Sequence, residues 1–109
     1  VSAGAICWFE RGITDSWSNK LNIIDCLSFT KGNCCPHYDE EAERKPSLSN
    51  FILSEQINEC FAIEGGCALH IKNDAVWKAI SFKGSKNTFL VKRMSDKKIG
   101  ESLVPKINI

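Results

Sequence analysis

A chain of 109 residues makes one small domain with its own core and is too short for a decorated doubly wound sheet. Hydrophobic content of 43% and charged content of 25% are ordinary for a globular protein. Fourteen basic and thirteen acidic residues leave a formal net charge of +1, which gives no reason to expect a nucleic acid or an anionic membrane as partner. No apolar run approaches the roughly 20 residues of a membrane span, and no basic-then-apolar signal peptide opens the chain.

The chain opens with Ser2-Ala3-Gly4 and runs into an apolar, helix-compatible segment. A serine followed by small residues and then a helix is the pattern of a nucleophile elbow. There the hydroxyl is exposed at a sharp turn, and the next backbone N–H helps bind an oxyanion. The spacing predicts a helix over Ala5–Arg11, with Ala5, Trp8 and Phe9 on one face and Gly12 as its stop. Residues 13–20 are polar and turn-rich. Within them Asp15, between Thr14 and Ser16, reads either as a turn residue capping its own backbone or as an acid that orients a histidine.

Leu21–Phe29 is predicted as a strand that leads to a turn at 31–33. His37 follows Pro36, which fixes the local backbone direction. Residues 39–45 form a charge cluster expected on a solvated loop or helix face. Within it Arg44 could alternatively take a substrate carboxylate by a two-pronged contact. Pro46–Asn58 is predicted as a helix capped by Ser47, with Leu48, Phe51, Ile52 and Glu55 at helical spacing.

Strand patterns follow at 60–63, 67–71, 75–82 and 88–94, separated by turns at Gly65-Gly66, Asn73-Asp74 and Gly84-Ser85. Trp77, Ile80, Phe82, Phe89 and Val91 read as core, and His70 as a solvent-side strand residue. Residues 95–109 are expected as a loosely ordered tail.

Six cysteines allow three readings. Cys7, Cys26, Cys60 and Cys67 lie in helix-like or apolar strand-like runs, as buried reduced thiols do, and this favours a cytoplasmic protein. Three disulfides would instead indicate a small secreted binding protein. The adjacent Cys34-Cys35-Pro36-His37 lacks the knuckle spacing of a metal site.

Beyond the bare serine triplet, Ser2-Ala-Gly-Ala-Ile-Cys-Trp-Phe-Glu10, Thr14-Asp15-Ser16 and Cys35-Pro36-His37-Tyr38-Asp39 together resemble the peptidase E family, which includes aspartyl dipeptidases and cyanophycinase-like serine peptidases. The resemblance runs from Val1 to about Ser81 and covers only the C-terminal half of a usual member. It implies an α/β fold: half of a class I glutamine amidotransferase-like three-layer domain, an elbow helix followed by a mixed, largely β part. It also implies a triad of Ser2, His37 and Asp15. His37 stands 35 positions after Ser2, close to the family spacing. Related sequences carry Asp-Gly-Leu-Gly where this chain has Cys26 and Ser28. Where positive φ is required there, the exchange costs stability.

On this reading Ser2 attacks a small peptide to give an acyl-enzyme, His37 moves the proton, and the Ala3 N–H supplies one oxyanion donor. No cofactor and no metal is implied. The second oxyanion donor of this fold belongs to a Gly-rich loop N-terminal to the elbow. The chain alone is therefore expected to turn over little substrate, and to form a homo-oligomer or to associate with a missing N-terminal half. The alternative is an amidotransferase-like binding or structural module without hydrolase chemistry.

Overall fold

In the computed structural model, residues 2–15 and 20–109 are described, the first two by their backbone alone. The fold is mixed α/β. Helix α1 (Ser2–Ile6) precedes strands β1 (Arg11–Thr14), β2 (Asn22–Asp25) and β3 (Asn33–Cys35). Helix α2 (Arg44–Leu53) is followed by β4 (Glu59–Ile63), β5 (Cys67–Lys72), β6 (Ala75–Ser81), β7 (Thr88–Ser95), β8 (Lys98–Leu103) and β9 (Lys106–Asn108).

Six strands form one sheet in the order β2-β1-β3-β4-β7-β8, and β5-β6-β9 form a second. The centre, β1-β3-β4, is parallel. The flanking strands β2, β7 and β8 are antiparallel to their neighbours.

Side-chain alternation along the central strands divides the core in two. Ile13, Cys35, Cys60, Ala62 and Val91 face α2, which buries the stripe Arg44, Leu48 and Ile52 at helical spacing. Cys34, Phe61 and Ile63 face the other way, onto Ile6 and Phe9 and onto the β5–β6 hairpin through Leu69, Ile71 and Val76. The large sheet is therefore covered on both faces, as parallel strands require. Among the described residues, no helix is long and apolar enough to cross a membrane.

The structure departs from the sequence-based expectations at several points. The first helix ends at Ile6, well before Arg11, because the chain turns at once into the sheet: the Glu10 N–H donates to the Gly32 carbonyl at 2.9 Å. Gly12 is therefore no helix stop. It lies in β1 under α1, where a Cβ would come 2.5 Å from the Cβ of Ile6. Residues 11–14, polar in part, form a central strand because burial outweighs local propensity.

The strand predicted over 21–29 stops at Asp25. Beyond it the chain crosses the segment after α1, with the Leu27, Ser28 and Thr30 N–H groups donating to the Cys7, Phe9 and Trp8 carbonyls. Helix α2 starts two residues before Pro46, whose missing N–H costs nothing in a first turn. Its N-cap is Glu43 rather than Ser47, and it ends at Leu53 before a left-handed Glu55, φ 64°.

Residues 95–109 are not a loose tail. β8 pairs with β7 from Phe89↔Leu103 to Ser95↔Lys98, Val104 is buried, and β9 runs parallel to β6. Trp77 and Phe82, expected in the core, are exposed, with Trp77 covered by the ammonium groups of Lys72 and Lys78 instead. His70 is exposed as expected, edge-on to Trp77.

Candidate functional site

Strand β3 delivers Pro36 and His37 to the end of the central parallel strands. His37 takes a left-handed backbone, φ 56°, which a non-glycine residue seldom adopts and which is found disproportionately at functional sites. The turn that holds it is tied down at several points. The Glu40 N–H donates to the His37 carbonyl at 3.1 Å, and the Tyr38 N–H donates to the Ile63 carbonyl at 3.0 Å. Asp39 accepts from the Gly65 N–H at 2.8 Å through one carboxylate oxygen and from Lys86 Nζ at 2.6 Å through the other. Burial alone would raise the Asp39 pKa, but these donors outweigh it and hold the carboxyl below its ordinary range.

The imidazole meets a carboxylate directly: His37 Nδ1 lies 2.7 Å from Glu40 Oε1. A carboxylate only accepts, so the contact assigns the proton to Nδ1. The basic lone pair of the neutral ring is then on Nε2, the arrangement a general base needs.

His37 and Glu40 line a cavity of about 650 Å³, and Gly4 and Ala5 of α1 line the same cavity. Ser2 opens that helix two residues before Gly4. The Ala3 N–H belongs to the first helical turn, where N–H groups have no intrahelical acceptor.

Asp15 is placed differently. It follows β1 and lies 3.9 Å from the Arg44 guanidinium, beside a separate hollow shared with Lys20, Glu41 and Glu43. The contact recorded at His37 Nδ1 is with Glu40, not Asp15. Arg44 is buried, donating to the Ile13 carbonyl at 3.1 Å and to Glu41 at 2.5 Å. Its guanidinium is spent on tying α2 to β1 rather than open to a substrate carboxylate.

Sequence reasoning missed Glu40 because it sat within a charge run read as solvated surface. The available signal was its place three residues after a histidine that itself follows a proline.

The buried thiols are poor competitors as nucleophiles. All six cysteines are unpaired. Burial pushes the Cys35 thiol up to about 11 even though Arg44 beside it partly offsets the effect, and burial raises Cys34 and Cys60 as well. Among the described residues, no three His, Cys, Asp or Glu side chains gather as metal ligands would.

Comparison with known proteins decides the family. The family model described as Peptidase family S51 matches residues 1–79, which include α1, the His37 turn and the strands that carry them. The chain belongs to this peptidase family. The uncharacterized peptidase YgaJ of Bacillus subtilis (strain 168) is 37% identical over 105 residues, which are 96% of this chain and 45% of that protein. The chain thus spans about half the length of this curated relative. The matched region contains Ser2, Asp15, His37 and Glu40 together.

Proposed function

We propose that this chain carries the nucleophile and the general base of a serine-type peptidase that acts on small peptides, within a class I glutamine amidotransferase-like fold. The supporting observation is that His37, held through Nδ1, and the helix that begins at Ser2 line one cavity.

Ser2 Oγ attacks the scissile carbonyl while His37 Nε2 takes its proton. The Ala3 N–H donates to the oxyanion. His37 returns the proton to the leaving amine, and water then releases the acyl group from Ser2 by the same route in reverse. The third place of the triad, which the resemblance gives to Asp15, has less geometric support, because the Asp15 carboxylate stands by Arg44. Peptidases of this kind need no metal, and the reading invokes none.

The test is hydrolysis of a dipeptide panel by the complete gene product that carries this sequence. Ser2→Ala and His37→Ala are each expected to lower kcat by at least about 10³-fold. Wild-type turnover that survives Ser2→Ala would rule the mechanism out. A protein inert towards every peptide would leave the binding or structural module.

A further inference from the structure

We propose that Cys7 and Cys26 form a reversible thiol–disulfide pair, an oxidation site whose co-reactant is a peroxide and whose closure displaces α1.

Backbone contacts bring the two residues together. Cys7 directly follows α1, and Cys26 directly follows β2. The Leu27 N–H donates to the Cys7 carbonyl at 3.0 Å, so the Cys26-Leu27 and Cys7-Trp8 peptide groups share one hydrogen bond. The Cys26 N–H donates to the Glu10 carbonyl at 2.9 Å and holds the same crossing in place. Residues facing each other across a backbone hydrogen bond have alpha carbons about 5.5 Å apart, and a disulfide spans about 4.4–6.8 Å.

The sulfurs are near enough for one charge to act on the other. Burial raises the Cys26 pKa first, and the Cys7 thiolate raises it next. Each sulfur has a weak acceptor within its own segment. Cys7 Sγ donates to the Gly4 carbonyl at 3.5 Å, and Cys26 Sγ donates to the Ile24 carbonyl at 3.6 Å. Both contacts are cheap to give up.

The remaining thiols are set apart. Cys7 and Cys26 are half-buried, whereas Cys34, Cys35 and Cys60 are closed off from an oxidant in water. Cys34 and Cys35 also belong to opposite faces of the large sheet. Cys67 is half-buried too. Burial raises its pKa, and the side chains that act on it next are Ser81, Glu64, Lys106 and Asp39, none of them a cysteine.

The chemistry consumes two thiols and one hydrogen peroxide and gives one disulfide and two waters. One sulfur attacks the peroxide, the O–O bond breaks, and the hydroxide leaves with the thiol proton as water. The other sulfur then attacks the sulfenic acid. The S–S bond forms, the S–O bond breaks, and the second proton leaves with the hydroxyl as water.

Closure draws Cys7 Sγ away from the Gly4 carbonyl, and Gly4 lines the His37 cavity. Ile6 is wedged on Gly12 with no slack, so a pull on Cys7 is passed to α1 rather than absorbed at its end. The effect on turnover rests on the peptidase reading above; the cross-link does not.

The test uses the complete gene product, treated with excess hydrogen peroxide, alkylated, and digested with trypsin without reductant. Cuts after Arg11, Lys20 and Lys31 leave Cys7 and Cys26 in separate peptides, apart from the chain's other cysteines. A cross-linked peptide that dithiothreitol separates is expected, and Cys7→Ser and Cys26→Ser should each abolish it. Oxidised wild-type protein is expected to lose about tenfold or more in kcat and to regain it with dithiothreitol, while Cys7→Ser keeps its kcat under peroxide.

Free Cys7 and Cys26 after peroxide, oxyacids without a cross-link, or a bridge from Cys26 to Cys34 would overturn the pairing. A cross-link that leaves the kcat of an active enzyme unchanged would overturn its hold on α1. A wild-type protein inert towards every peptide would end the peptidase reading, while the peptide masses would still decide whether the two cysteines pair.

Discussion

Asp39 shows how much of the site turn depends on one side chain. It stands in a run of charges that reads as solvated surface, yet it joins the turn after β3 to the loop after β4 and to Lys86 beyond β6. Burial works against its charge, and the Lys86 and Gly65 donors more than compensate, so its folded pKa is depressed. A depressed carboxyl stabilises the fold above the unfolded value of about 3.9 and loses that contribution as pH falls through the folded value. Asp39→Asn should therefore lower the melting temperature at pH 6 and flatten its decline between about pH 5 and pH 2. Identical slopes for the two proteins in acid would contradict this role.

The same scale shows what one sequence can and cannot disclose. The positive φ suspected near Cys26 and Ser28 is found at Ser28, 59°, and not at Cys26, because glycine at a related position marks a backbone requirement directly. The Glu40 contact left no comparable trace, since a glutamate among glutamates carries no signal of where it points.

Among the elements, α1 and β1 meet at close quarters. Ile6 packs onto Gly12 with no room for a methyl group, and Ile6 belongs to the helix that starts at Ser2. Gly12→Ala is expected to cost about 1–3 kcal/mol through overpacking. It should also move α1 relative to His37, so stability and activity fall together. Chemical denaturation alongside a kcat measurement would show this, and an unaltered midpoint would contradict the packing.

The hairpin strands β5 and β6, together with β4 and β7, were legible because they are five to eight residues long and are bounded by Gly-Gly and Asn-Asp turns. β1 and β3 were not. They have four and three residues, and the Cys34-Cys35 pair is buried on both faces, so neither shows an alternation. β8 and β9 were hidden by the charges of Lys97, Lys98, Glu101 and Lys106, which strands at the margin of a sheet accommodate readily.

In the whole molecule, the large sheet separates α2 on one face from α1 and the small sheet on the other. The site lies on the second side, where α1, the His37 turn and the loop at Gly65 border one cavity. The His37 part of this arrangement could be read from its Pro-His-aromatic context. The convergence could not, because it depends on two short central strands that set α1 beside the end of β3.

The wider surface carries Trp8 and Phe29 in a ring contact of 5.8 Å, with Leu27 exposed as well, around the same crossing that ends α1. The account depends most on a reactive hydroxyl at Ser2 that His37 activates. Treatment of the complete gene product with a fluorophosphonate, followed by mass analysis of the Ser2 peptide, measures this directly. The predicted result is a phosphonyl adduct on Ser2 that His37→Ala abolishes. No adduct on Ser2 in the wild-type protein, or one formed equally fast without His37, would contradict it.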